Sequence, residues 1–303
     1  MPPIVLIIFN RPDLVKRQTE ILSRLPLEQL FVIADGPRPG LDDEKKCHDA
    51  RSVIENTIWP CSIQKNYADH NMGCANRIVS GLDWVFRHVD RAIILEDDCL
   101  AHPSFFRFCE ELLEFYRNDD EVMQICGTNR FAGLDNAYSY RFSRFAVCWG
   151  WATWRRAWLH NDLSMNIPDQ EIKRLLRHYL HGNQAAIDRW LMLINKTRQG
   201  LLDAWDYPWQ LSIWLHGGAV IIPASNLVTN AGFRDDATHT KNSESPVANL
   251  QLQGIVFPID HPPDKNYGYQ YDLQITKIFA DRTRFGFAKI IKNLYKKVKQ
   301  LIM

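Results

Sequence analysis

Along the first half of the chain, short apolar runs alternate with longer amphipathic stretches. Ile4 to Phe9 is an apolar run of strand type, and Asp13 is placed to open a helix reaching about Leu25. Leu30 to Ala34 is the next run, closed by Asp35-Gly36-Pro37, and a polar helix is expected from Asp42 to about Asn56. Cys61 to Tyr67 and Ala92 to Leu95 read as the third and fourth strands. Between them Cys74 to Arg87 predicts a helix with Ile78, Leu82, Val85 and Phe86 turned inward. Short strands alternating with helices predict an α/β fold, a mainly parallel sheet covered by helices. Ligands of such sheets collect beyond the carboxyl ends of the strands. Asn10-Arg11, Asp35-Gly36 and Glu96-Asp97-Asp98 all fall there, so three polar clusters share one sheet edge.

The second half is less regular. A helix is expected from Phe105 to Arg117, strands at Val122 to Cys126, Tyr138 to Phe142 and Ala219 to Pro223, and helices near Ile172 to Leu180 and Ala185 to Thr197. Asp235 to Val247 is polar and turn-rich, the best candidate for a mobile loop. After Asp281 the chain carries seven Lys and Arg and no acid, with Phe287, Ile291, Leu294, Val298 and Leu301 at helical spacing. That tail reads either as a solvated helix or as a surface for an anionic membrane.

Composition narrows the picture. A formal net charge of +1 over 303 residues gives no overall pull toward nucleic acid, which is not expected as a partner. Seven scattered cysteines without a CxxC pair argue against a disulfide framework or a zinc site and suit a reducing cytoplasm. The apolar N-terminal run is too short for a signal peptide or a membrane span. The chain has ten Trp, which bunch between Trp149 and Trp214 where eight of them fall, either as a bulky core or as the lining of a sugar-binding cleft.

Three consecutive carboxylates after Arg91-Ala92-Ile93-Ile94-Leu95 repel one another and gain nothing structurally without a positive partner. A solvated acidic turn before a helix is the ordinary reading. A hard divalent cation on oxygen ligands, itself holding a phosphate-bearing substrate, is the sharper one.

The segment Ala92-Ile93-Ile94-Leu95-Glu96-Asp97-Asp98-Cys99-Leu100-Ala101-His102-Pro103 resembles the metal-binding segment of GT-A glycosyltransferases. Its triplet is similar to the Glu-Asp-Asp variant of the Asp-X-Asp motif in N-acetylglucosaminyltransferase I. The resemblance takes in Phe9-Asn10-Arg11-Pro12, Asp35-Gly36, Gly150-Trp151 before Trp154, Trp205-Asp206, and Asn226 through Thr240, from about residue 3 to 245. It implies a single large GT-A (Rossmann-like) domain with a nucleotide-sugar half over 1–130 and an acceptor and catalytic half over 131–280. The basic helix 281–303 follows.

On that resemblance, Asp98 is the ligand of a Mn2+ or Mg2+ ion, and Glu96 and Asp97 contact the donor. Arg11, Asp35, Arg77, His239 and Thr240 fall on nucleotide-sugar positions. The implied donor is a nucleoside diphosphate sugar, with a UDP-sugar first in line, and the acceptor is a hydroxyl of a glycan or lipid-linked sugar. The implied enzyme is an inverting hexosyl- or N-acetylhexosaminyltransferase, cytoplasmic, and peripheral on the membrane if residues 282–303 dock there.

Several of these residues have ordinary readings as well. Arg11 and Arg77 suit surface cations, Asp35 a turn, and His239 an exposed loop. Inverting transfer needs a base, for which Asp206 and then Asp203 are the candidates; either is also placed to cap the following helix. The family's Trp-Asp-Asp-Trp segment stands here as Trp205-Asp206-Tyr207-Pro208-Trp209, without its second Asp. Trp151, Trp154 and Trp205 are core residues or contacts for acceptor or sugar. Two other functions stay open: a sugar nucleotidylyltransferase, disfavoured because Phe9-Asn10-Arg11 lacks that class's glycine-rich loop, and a non-catalytic glycan-binding protein on the same fold.

Overall fold

The computed structural model describes residues 1–131, 137–233, 250–266 and 268–281. His239 and Thr240, the rest of the loop Asp235–Val247, and the basic tail 282–303 lie outside the described residues. The first half runs β1 (Ile4–Ile8), α1 (Pro12–Leu22), β2 (Gln29–Ala34), α2 (Glu44–Asn56), β3 (Ser62–Tyr67), α3 (Cys74–Phe86) and β4 (Arg91–Glu96). Then come β5 (Cys99–Ala101), α4 (Pro103–Phe115), β6 (Val122–Cys126), β7 (Tyr140–Ser143), β8 (Trp151–Trp154) and the short α5 (Arg155–Trp158). The chain continues through α6 (Asp169–Tyr179), α7 (Gln184–Arg198), α8 (Asp206–Leu215), β9 (Ala219–Pro223) and β10 (Val228–Asn230), and a further helix spans 269–281.

One sheet runs through both halves in the order β3-β2-β1-β4-β8-β6-β9-β7. β1 to β4 pair in parallel, as do β6 and β9, whereas β8 and β7 run antiparallel to their neighbours. The sheet is therefore mixed and mainly parallel, with helices on both faces. β5 and β10 form a separate antiparallel pair.

Period-two alternation splits the apolar side chains into two cores, one per face. Val5, Ile7, Phe31, Ile33 and Ile94 pack with Ile78, Leu82 and Val85 of α3. Ile4, Leu6, Leu30, Val32 and Leu95 pack with Val15 of α1, Ile54 of α2 and Phe105 of α4. Because β1, β2 and β4 are buried on both faces, their sequences are unbroken apolar runs, which made them legible. β3 stands at the sheet edge and carries Gln64, Lys65 and Asn66, as an edge strand tolerates.

The tryptophans belong chiefly to the first of these cores. Trp151 is fully buried, stacked on Trp205 at 5.4 Å between ring centroids, with Trp209 at 6.1 Å. Trp158 closes the cluster at 5.3 Å from Trp209. Trp154 is buried on the other face, its Nε1 donating to the Leu113 carbonyl at 3.0 Å. The expectation that Trp151 and Trp154 touch a sugar is thus corrected: strand β8 sits inside the sheet, and both rings are spent on packing. All seven cysteines are free thiols. Among the described residues no helix is long and apolar enough to cross a membrane.

Candidate active site

A cavity of about 530 Å³ opens beyond the carboxyl ends of β1, β2 and β4. Its first wall carries Arg11, Asp35, Arg77, Glu96, Asp97 and Asp98, and a second, from later in the chain, carries Trp149, Arg189, Asp203, Trp205, Asp206 and Tyr207. The sheet-edge clusters expected from sequence therefore meet in one place.

The carboxylates already have a positive partner. Arg11, the residue before Pro12 at the start of α1, donates from Nη1 to Asp98 Oδ2 at 2.9 Å and from Nη2 to Asp97 Oδ1. The amide of Phe9 donates to Asp97 Oδ2 at 3.3 Å. Asp98 Oδ1 accepts from Asn230 Nδ2 at 3.3 Å and from the Cys99 thiol at 3.5 Å. Asp97 and Asp98 are only 1% and 6% exposed, and a carboxylate is kept there by such charge-assisted bonds. Gln18 of α1 ties down the turn itself, donating from Nε2 to the carbonyls of Glu96 at 3.0 Å and Cys99 at 2.6 Å.

Glu96 differs from its neighbours. Its carboxylate accepts no hydrogen bond from any described residue. Burial first, then Asp98 and Asp97, push it up to about 8 against the pull of Arg11, and Asp206 of the second wall adds to the rise. Burial also raises Asp97, to about 7, against Arg11. The guanidinium of Arg11 loses to burial but gains more from Asp97 and Asp98, and is held above its ordinary value. Three carboxyl groups stand against one arginine, and burial with their mutual repulsion holds protons on Glu96 and Asp97 that a cation would displace.

Asp35 ends β2 inside a turn clasp. Its Oδ1 accepts from the amides of Gly36 and Met72, each at 2.9 Å, and Oδ2 from Asn71 Nδ2 at 2.9 Å. Burial raises its carboxyl, and those amides pull the other way. Gly36 has no room for a side chain, since a Cβ would stand 2.4 Å from the His70 carbonyl carbon.

Two predicted site residues prove to be structural ties. Arg77 is buried, donating from Nε to the Ala34 carbonyl at 3.1 Å and from Nη2 to the carbonyl and side chain of Asn66 at 2.6 and 2.8 Å. Asp203 caps α3 from far along the chain, its oxygens accepting from the amides of Cys74 at 2.7 Å and Ala75 at 2.9 Å. It supplies the cap that Gly73, with φ of 80°, does not provide from its own side chain. Both oxygens thus serve a helix end, while the residue itself is exposed and lines the cavity. Asp206 lies exposed in the first turn of α8 and faces the cavity.

Sequence reasoning missed Gln18, Asn71, Asn230, Gly232 and Arg189. Asn230 belongs to β10, whose pairing with β5 carries it to Cys99 beside Asp98. A Cβ on Gly232 would lie 2.2 Å from Asp98 Oδ2 and 3.0 Å from Arg11 Nη1, so only glycine lets the chain close over that pair. The spacing Asn230-Ala231-Gly232 was visible, but nothing local marks it as a neighbour of Asp98.

No protein-family model matches the chain, and no curated protein matches it. Its fold is similar to that of several solved structures at low identity. Mouse xyloside xylosyltransferase 1, in its apo form, is 10% identical over 83% of this chain and 95% of that one, with a TM-score of 0.38. A mannosyltransferase from Pyrobaculum calidifontis in complex with GDP-Man and Mn2+ is 11% identical over 71% and 69%, with a TM-score of 0.36. A cytidylyltransferase from Leptospira borgpetersenii is 15% identical over 56% and 67%, with a TM-score of 0.34. These are glycosyl- and nucleotidyltransferases alike. Likenesses this slight carry no argument, and the chemistry rests on the site's own atoms.

Among the described residues no three ligating side chains surround a common point. That donor set does not make an all-protein cage. It does fit a hard cation held through one carboxylate and completed by ligand phosphates, as Mg2+ commonly is. Asp98 accepts three donors and a carboxylate offers about four lone-pair sites.

Proposed function

We propose that the protein is a metal-dependent glycosyltransferase that moves a sugar, with inversion, from a nucleoside diphosphate to a hydroxyl of a glycan or glycolipid. One observation carries the reading. Arg11, Asp97 and Asp98 interlock at the ends of two parallel strands, with Glu96 open beside them and Asp206 on the second wall of the same cavity. The Glu96-Asp97-Asp98 order supports the likeness to N-acetylglucosaminyltransferase I, and a UDP-sugar is the donor first in line.

In this reading Arg11 stands at the diphosphate and fixes Asp97 and Asp98. Asp35 is oriented by its three donors toward the base or ribose. Glu96, which accepts from no described residue, accepts from donor-sugar hydroxyls. Asp98 would hold the divalent cation, which when bound supplies positive charge against the departing diphosphate. Asp206 takes the proton of the acceptor hydroxyl as that oxygen attacks the anomeric carbon. Trp149, Trp205 and Tyr207 help wall the reacting centre from water.

The test is turnover of a panel of nucleotide sugars with and without manganese, repeated for Asp98→Ala. Release of the nucleoside diphosphate that needs the metal and drops by roughly 10²–10³-fold in the variant is expected. Metal-independent turnover, or full activity of the variant, sinks the assignment. Formation of a sugar phosphate from pyrophosphate would identify a nucleotidylyltransferase instead. An axial or equatorial product linkage opposite to that of the donor checks inversion.

A further inference from the structure

Four arginines line the cavity, and three are already occupied. Arg11 is held by Asp97 and Asp98. Arg38 is paired with Asp43, its Nε to Oδ2 at 2.5 Å. Arg77 is spent on the Ala34 carbonyl and Asn66. The fourth, Arg189 of α7, has no hydrogen bond and no ion pair with any described residue, and its Nε is buried without a partner.

A cation left unpaired in a partly closed site weakens the free protein, because its lost hydration is not replaced. An anion arriving in the cavity replaces it. Arg189, on α7 (Gln184–Arg198), lines the cavity together with Leu193, Leu202 and Tyr207, none of them a strand-end residue. This second wall is firm: the Tyr207 ring packs edge-on against Trp190 at 5.5 Å, and Asp203 is anchored on α3. The donor diphosphate, on the reading above, belongs to the Arg11 wall.

We propose that Arg189 binds an anionic group, carboxylate or phosphate, carried by the acceptor. The acceptor class is thus an acidic or phosphorylated sugar rather than a neutral one. This rests on the glycosyltransferase reading for the word acceptor, but the anion site stands on its own geometry. The other three arginines of the cavity are already engaged, so the one guanidinium unpaired among the described residues fixes where the acceptor's charge goes and thereby its register. The fork of the guanidinium suits two oxygens of either anion.

The experiment uses the full chain, Arg189→Met and Arg189→Lys, with folding of each checked by thermal unfolding. Affinities for UDP, GDP, ADP and CDP with manganese report the donor side. Affinities for methyl glucoside, methyl glucuronide and methyl glucoside 6-phosphate, with and without the tightest nucleotide, report the other wall. The wild type should bind an anionic probe at least about tenfold more tightly than the neutral one. Arg189→Met should lose that excess and Arg189→Lys keep part of it, with nucleotide affinity unchanged in both. Preference for the phosphate or for the glucuronide names the source of the anion. Equal binding of all three sugars by the wild type overturns the proposal, as does a loss of nucleotide affinity in Arg189→Met, which would move the residue to the donor. If no nucleotide binds, the glycosyltransferase reading fails, and the sugar series on the free protein still decides Arg189.

Discussion

On one wall of the cavity Arg11, Asp97 and Asp98 close on one another, Asp35 sits in a clasp of amides, and Arg38 and Arg77 are engaged. On the other, Arg189 meets no acid among the described residues and Asp206 stands exposed at a helix start. The first wall is made of strand ends whose backbones are fixed by a doubly covered sheet. Polar groups placed there are held in one geometry before any ligand arrives, which is what an electrostatic site requires. The second wall is made of helices α7 and α8 and a connecting turn, and among its charges Arg189 has no partner among the described residues. Fixed groups suit the invariant part of a reaction, and available groups suit its variable part.

The sharpest way to break this contrast is at Asp206. Asp206→Asn should lower kcat by roughly 10²-fold or more while thermal stability stays near wild type, because an exposed carboxylate supports no packing. A stability loss with kcat intact would make Asp206 a helix-start residue only. Next in size is Arg11→Met, which strands two buried carboxylates. Chemical denaturation should show a loss of about 3 kcal/mol, and activity should fall with it. If stability were unchanged, the first wall would not be held by that ion pair.

Asp203→Ala should cost about 1 kcal/mol by uncapping α3, with kcat within a few-fold of wild type. A kcat collapse without destabilisation would return Asp203 to the reacting centre. Gly232→Ala sharpens the comparison differently. Its methyl would meet Asp98 Oδ2, so nucleotide affinity should drop by more than global stability does. Titration calorimetry against the unfolding midpoint separates the two.

The smallest effect concerns a buried carboxylate that makes no ion pair among the described residues. Asp272, on the helix over 269–281, accepts from Ser143 Oγ at 2.5 Å and the Arg144 amide at 3.0 Å. Burial outweighs those bonds and raises its carboxyl from 3.8 to about 6. The folded protein then keeps this proton where the unfolded chain has released it, so stability falls as pH rises from about 4 to 6. Asp272→Asn should remove that dependence. The wild-type minus variant stability should decline across this window by a fraction of the roughly 1.4 kcal/mol per pH unit that one proton allows. A flat difference would mean that Asp272 ionises as in the unfolded chain.

Some of this was legible without coordinates. β1, β2 and β4 declared themselves as apolar runs ending in polar residues, and the parallel arrangement then required those ends to share an edge. Glu96, Asp97, Asp98, Arg11 and Asp35 were found that way. The tryptophan run misled because an aromatic side chain has the same sequence signature in a core as in a cleft, and only the position of β8 inside the sheet separates them. The sequence reading also asked for a cation among three carboxylates; a first answer came from Arg11 rather than from a metal, since nothing in the spacing of residues 11 and 97 reveals a 2.9 Å contact to residue 98.

What the chain determined by itself was local: where strands and helices form, which faces are apolar, and that acids accumulate at a strand end. Those properties follow from periodicity and from the cost of burying charge, and both act over a few residues. Tertiary structure decided which distant groups answer one another: Asp203 on the N-terminus of α3, Asn230 and Gly232 behind Asp98, Arg189 left without a partner among the described residues. Each depends on the crossing of segments separated by about a hundred residues or more, and such pairings are set by the packing of the whole sheet rather than by any pattern within a segment.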